Sequence, residues 1–153
     1  MYYSGQEIVE IAVRIEENGN AFYNAAAEKL KQSGDIYSLL VELAEKELQH
    51  IAIFQKLLAS YEPEDYEIAA DDASAYVSHL AESHIFGKPE AGVHLAQTVS
   101  TAKDALEIAL KFENDSIDFY VELEKRAKSD SRRLIRQIIE EEKEHAEEIR
   151  HFL

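Results

Sequence analysis

Apolar positions recur along this chain in alternating steps of three and four, the spacing that lines one face of a helix packed in a bundle. The first run, Val9, Ala12, Glu16, Gly19, Tyr23, Ala26 and Leu30, predicts a helix from about residue 5 to about 32. Ahead of it, Ser4-Gly5-Gln6-Glu7 fits a capping box, in which the Ser hydroxyl and the Glu carboxylate each satisfy a free backbone N–H. Ser33-Gly34-Asp35 supplies a stop and a new cap. The second run, Ile36, Leu40, Leu43, Glu47, His50, Phe54 and Leu57, carries a helix to about residue 60. A third helix starts near Ser100 or Thr101 and runs to about Lys128, with Ala102, Leu106, Ala109, Glu113, Ser116, Tyr120, Leu123 and Ala127 as its stripe. After a turn and cap at Ser129-Asp130-Ser131, the last helix carries Ile135, Ile138, Glu142, His145, Ile149 and Phe152. Each stripe holds a glutamate near its middle, and two hold a histidine as well.

Residues 61–100 change character: Pro63, Gly87, Pro89 and Gly92 break the periodicity, and the segment reads as a crossover. Forty structureless residues would be improbable inside a small domain, so a short helix is expected from Ala73 to about His84.

The chain repeats itself. A shift of 97 sets Val9-Glu10-Ile11-Ala12-Val13-Arg14-Ile15-Glu16 over Leu106-Glu107-Ile108-Ala109-Leu110-Lys111-Phe112-Glu113, and Phe22-Tyr23 over Phe119-Tyr120. A shift of 95 sets Glu47-Leu48-Gln49-His50 over Glu142-Lys143-Glu144-His145. The pattern predicts an all-α fold: a four-helix bundle made of two duplicated helical hairpins, residues 5–60 and 101–153, joined by the long crossover as one domain over 1–153.

Composition narrows the chemistry. Five Gly and two Pro among 153 residues are few turn-makers, which disfavours a sandwich or barrel. With no cysteine, thiolate zinc sites, Fe–S clusters and disulfides are excluded, so any metal is held by oxygen and nitrogen. The 31 acidic against 16 basic side chains repel phosphate backbones and anionic lipid, so neither nucleic acid nor membrane is an expected partner. No apolar run approaches the ~18 residues of a membrane span, and the start lacks a basic region followed by an apolar core; a cytoplasmic location is expected.

Glu47-x-x-His50 and Glu142-x-x-His145 each put two ligating side chains one turn apart on one helix face, ~4.5 Å along the axis. Glu16 lies 18 residues before Gly34, and Glu47 and His50 lie 13 and 16 after it, so an antiparallel hairpin brings the three to similar height. Glu113, Glu142 and His145 repeat this about Asp130. Four carboxylates among Leu, Ile and Phe would cost several kcal/mol per ion without compensation. Two divalent cations cancel that charge, and imidazole adds the neutral donors that transition metals favour. A Glu from each of two helices plus Glu-x-x-His from each of the other two is the di-iron or di-manganese carboxylate arrangement of bundle proteins. Gly19, Ser116, Ala12 and Ala109, one turn from Glu16 and Glu113, leave room beside the ions.

Other residues have plainer readings. Glu148 and His151 also share Glu-x-x-His spacing but lie off the stripe, over Ile53 and Lys56, and read as a surface pair. Glu17 maps to Asn114 and reads as a surface residue. Tyr23 and Tyr120 read as core packing, with a hydrogen bond to a ligand Glu as the minority reading. His79, His84 and His94 fall in the crossover without paired spacing and read as ordinary polar residues.

Glu16 with Phe22-Tyr23, Glu47-x-x-His50, Glu113 with Phe119-Tyr120, and Glu142-x-x-His145 together resemble the rubrerythrin branch of the ferritin-like superfamily. The resemblance covers roughly residues 8–58 and 105–152. It implies a ferritin-like four-helix bundle, a non-haem centre of two iron ions, activities such as peroxide reduction or iron oxidation, and a homodimer. Rubrerythrins proper add an iron centre held by cysteines; this chain has none, so its electrons would come from a separate donor protein. They also carry a further Glu where this chain has Ser116, so their ligand switching is not carried over.

The leading expectation is a di-iron oxidoreductase acting on peroxide or dioxygen, with Glu16, Glu47, Glu113 and Glu142 as carboxylate ligands and His50 and His145 capping one iron each. The alternative is iron binding and storage without turnover. It is weakened by the end of the chain at Leu153, directly after the fourth helix. A third is a helical interaction module with a relict site. Manganese and zinc suit the same donors.

Overall fold

The computed structural model describes residues 4–62 and 72–153; Met1 to Tyr3, and Pro63 of the crossover, lie outside the described residues. Six helices follow in order: α1 (Gly5–Lys29), α2 (Asp35–Ala59), α3 (Asp72–Ser83), α4 (Ala91–Gln97), α5 (Ala102–Arg126) and α6 (Ser129–His151), with no strand among the described residues. The protein is all-helical, and the four long helices fall where the periodicity puts them.

Local chemistry sets their ends. At α1 the Glu7 N–H donates to Ser4 Oγ at 3.2 Å and the Ser4 N–H to Glu7 Oε2 at 2.7 Å, the expected capping box. Thr101 and Asp104 make a second one at α5, at 3.1 and 2.9 Å, which the sequence reading had not singled out. Such caps contribute about 1 kcal/mol each. The other two starts differ from expectation. The cap of α2 is Gly34, at φ 54°, where the absence of Cβ permits the turn and no side chain caps the helix. The cap of α6 falls on Lys128, one residue before Ser129-Asp130-Ser131, again without a side-chain capping bond to the helix start.

The α1 stripe is buried throughout, as are the α5 stripe from Leu106 to Ala127 and the α6 stripe from Ile135 to Ile149. Ile36 is half-buried, and Phe152 is 37% exposed because α6 closes at His151 and the last residues leave the seam. α1 packs along α2 and α5 along α6, while α1 meets α5, and α2 meets α6, much more sparsely. The central space between the hairpins belongs to polar side chains.

The crossover covers the α1/α5 face. Its first helix is the one expected, shifted by a residue; its second, α4, is too short for periodicity to reveal. Asn18 Nδ2 donates to the Phe86 and Lys88 carbonyls, each at 2.8 Å, and Asn18 Oδ1 accepts the Gly92 N–H at 3.3 Å. Asp115 Oδ2 accepts the Ile85 N–H at 3.0 Å. Asn18 and Asp115 are repeat mates, so the two halves of the bundle grip the same strap. Phe86 is fully buried, with ring centroids 5.4 Å from Phe22 and 4.8 Å from Phe112. The room expected beside Gly19 is filled by Phe112: a Cβ there would lie 2.5 Å from Phe112 Cζ.

Candidate metal centre

Glu16 comes from α1, Glu47 and His50 from α2, Glu113 from α5, and Glu142 and His145 from α6; all six are buried and converge between the hairpins. His50 Nδ1 lies 3.1 Å from Glu142 Oε1 and 3.5 Å from both Glu16 Oε2 and Glu47 Oε2. His145 Nδ1 lies 3.0 Å from Glu142 Oε2 and 3.7 Å from both Glu47 Oε1 and Glu113 Oε2. One group of ligand atoms comprises Glu16, Glu47, His50 and Glu142, a second comprises Glu47, Glu113, Glu142 and His145, and within each the atoms lie within 4.8 Å of one another. Glu47 and Glu142 belong to both groups. The two imidazole rings are stacked across the centre at 5.8 Å.

In the metal-free protein, protons perform the neutralisation that cations would. Burial, and then the Glu142 charge, push the Glu47 and Glu113 carboxyls well above the ordinary carboxylate range. Burial acts the same way on Glu142, but the His50 charge, the neighbouring Glu113 carboxyl and the His145 hydrogen bond outweigh it and hold this carboxyl well below that range. Burial disfavours the charged form of both histidines. The Glu142 carboxylate, the hydrogen bond to Glu141 and the nearby Glu16 nonetheless raise His50, and the nearby Glu113 together with the hydrogen bond to Glu142 raises His145 to about 10.

Protons do not complete the centre. Glu16 Oε2, both oxygens of Glu47, His50 Nδ1, Glu113 Oε2 and Glu142 Oε1 are buried without a hydrogen-bond partner. The 3.1 Å approach of His50 Nδ1 to Glu142 is an ion-pair distance without hydrogen-bond direction. Buried polar atoms are almost always paired, and all six of these point into one space. Carboxylate oxygen with imidazole nitrogen is the donor set of a divalent transition metal, so the residues present fit such an ion.

A ring of further polar groups holds these side chains. The Tyr23 hydroxyl donates to Glu113 Oε1 at 2.5 Å, and its repeat mate Tyr120 donates to Glu16 Oε1. Core packing and the minority reading of a hydrogen bond to a ligand Glu both hold: the two tyrosines are fully buried, and a buried phenol needs an acceptor. The repeat contained that signal, since each Tyr keeps the same offset from a glutamate. Burial first, then the Glu113 charge at Tyr23 and the Glu16 charge at Tyr120, raise both phenols well above 10, so both remain donors.

Two more groups escaped the sequence reading. Glu141 Oε2 lies 2.7 Å from His50 Nε2; among so many glutamates nothing marks it, and its repeat mate is Lys46. His84 is not an ordinary polar residue of the crossover: it is buried, accepts the Phe86 N–H at Nδ1 (2.9 Å), and so donates from Nε2 to Ser116 Oγ (2.9 Å). Burial lowers its pKa to about 4, against the Asp115 and Glu142 charges that raise it. His79 and His94 are exposed as expected, and so are Glu17, Glu148 and His151.

Solvent approaches from the α2/α6 face. A cleft of about 300 Å³ there is lined by Glu42, Leu43, Lys46, Glu141, Glu144, His145 and Glu148. Among the described residues no helix is long and apolar enough to cross a membrane.

An all-helical bundle with two overlapping Glu/His groups at its centre defines a ferritin-like, metal-binding carboxylate protein. Residues 7–153 match the Rubrerythrin family, and the chain belongs to it. That membership supports a di-iron carboxylate protein. No curated protein and no solved structure matches the chain.

Proposed function

We propose that this protein is a di-iron carboxylate oxidoreductase that reduces peroxide or dioxygen with electrons from a separate donor protein. The observation that carries the reading is the pair of ligand groups sharing Glu47 and Glu142, with six buried atoms left unpartnered. Glu16 and Glu113 would be terminal ligands, each oriented by a tyrosine from the opposite hairpin. Glu47 and Glu142 would bridge, and His50 and His145 would each bind through Nδ1. When bound, two ferrous ions supply together the two electrons that, with two protons, reduce peroxide to two waters.

The chain's own residues do the rest. Phe22, Phe86 and Phe112 exclude water from the α1/α5 face, so the carboxylates work in a low-dielectric space. The tyrosines hold Glu16 and Glu113 in place while the charge at the centre changes. The chain has no cysteine for an electron-transfer iron centre of its own, which supports an external donor. The surplus of acidic side chains supports a protein acting away from nucleic acid and anionic lipid, and we take the working unit to be a homodimer in the cytoplasm.

The test is peroxide added anaerobically to protein loaded with ferrous iron. Oxidation much faster than for free ferrous iron, lost in Glu47→Ala and Glu142→Ala, is expected. Bound iron that oxidises no faster than free iron would replace this reading with iron binding and storage. Manganese or zinc recovered from protein purified without added metal would change the chemistry assigned.

A further inference from the structure

The two halves of the centre match in their six inner side chains and differ just outside them. His50 is fully enclosed, and its outer nitrogen Nε2 meets the Glu141 carboxylate at 2.7 Å. The residue that would do the same for His145 is Lys46, by the 95-residue repeat. An ammonium has no lone pair to accept a ring N–H. Lys46, Glu141 and His145 all line the solvent cleft on the α2/α6 face, but there Glu141 caps His50, whose side chain is fully buried, whereas His145 itself forms part of the cleft wall. The opposite face is shut by the crossover, where His84 bonds Ser116, Asn18 bonds two strap carbonyls and Phe86 packs on Phe112.

A carboxylate that accepts the outer N–H of a ligating imidazole fixes the tautomer that leaves the inner nitrogen free, and makes that nitrogen a better donor. Losing such a partner typically weakens metal binding by about 10–100-fold. The Glu141 bond turns His50 Nδ1 into the centre, where that atom has no hydrogen-bond partner and, once its proton is displaced, offers its lone pair to a metal. His145 has the cleft beside it, where small molecules can arrive.

We propose that the two metal positions are unequal: the position at His50 is the tight, enclosed one, and the position at His145 is the weaker, exchangeable one, where a small exogenous ligand of the peroxide class binds. Glu141 is the positioning residue that creates the difference. The inference rests on the two-metal reading above and goes beyond it by assigning different tasks to the two ions.

The experiment is a cobalt(II) titration of the metal-free protein, followed by calorimetry and visible absorption. Two steps separated by at least about tenfold in affinity are expected, with Glu141→Ala weakening the tighter one by about 10–100-fold and the weaker one little. Glu141→Gln, whose amide oxygen still accepts the N–H, recovers part of the loss, and Lys46→Glu tightens the weaker step. Azide leaves the spectrum unchanged after the first equivalent and shifts it after the second. Two equal steps, or equal weakening of both in Glu141→Ala, overturn the inequality while leaving the two-metal reading intact. Azide acting on the first equivalent overturns the ligand assignment. Fewer than two cobalt ions per chain overturns the two-metal reading, and this inference with it.

Discussion

The Tyr23 hydroxyl on α1 donates to Glu113 Oε1 on α5 at 2.5 Å, crossing from one hairpin to the other. Tyr120 returns the bond to Glu16, so each half of the repeat supplies the donor that orients the other half's carboxylate. Tyr23→Phe keeps the ring and leaves a buried oxygen without its donor. A loss of about 1–3 kcal/mol is expected in urea unfolding of the metal-free protein. Tyr23→Phe with Glu113→Gln should lose less than the two single losses combined, because the groups are in direct contact. Strict additivity would show that the bond contributes nothing.

At Glu47, the bridging ligand of the proposed function, stability would be traded for binding. Glu47 is fully buried and its carboxyl is driven toward the neutral form. Glu47→Gln keeps the shape and removes the ionisable group. The metal-free variant is expected to unfold at a higher urea concentration than the parent at pH 8, and to bind fewer than two metal ions per chain by elemental analysis. A variant less stable than the parent would show that burial of this carboxyl is not costly.

A metal binding here would displace the protons shared among these carboxyls and imidazoles, so binding should tighten as pH rises. His145, at about 10, and Glu47 and Glu113 all have folded pKa values raised above their unfolded ones. Their contribution to the stability of the metal-free protein is fully present below the unfolded values and is lost as pH climbs through the folded ones. Calorimetry in buffers of different ionisation enthalpy should register release of at least one proton from each histidine, with affinity increasing from pH 6 to 9. A pH-independent affinity would mean that the histidines are neutral before metal arrives.

His84 has the opposite sign. Its folded value is lowered to about 4, so its contribution is present above about 6.5 and is lost as pH falls through 4. At about 1.4 kcal/mol per pH unit, the difference approaches about 3 kcal/mol between pH 7 and 4. His84→Gln should be less stable than the parent at pH 7 and should lose correspondingly less on acidification. Parallel stability curves for the two proteins would place His84 in contact with solvent.

Much of the fold was legible because helix periodicity and internal repetition are one-dimensional signals. Glu16, Glu47, His50, Glu113, Glu142 and His145 stood out as polar residues on apolar stripes, and the repeat showed twice that they sit at one height. Such patterns specify which face of a helix turns inward, and therefore which charges must be neutralised there.

What depended on the tertiary structure is everything set by side-chain direction between helices. Tyr23 and Tyr120 were visible as buried rings, but that each hydroxyl reaches the carboxylate of the other hairpin follows from how α1 faces α5. Gly19 by its size implies room on the inner face of α1, and Phe112, from the other hairpin, fills it. Glu141 at His50, and His84 at Ser116, carry no periodic mark; they meet their partners 91 and 32 residues away because the crossover and α6 are pressed onto the bundle. Periodicity encodes the direction in which a residue points from its own helix, whereas partners across a gap exist only once two surfaces have packed together.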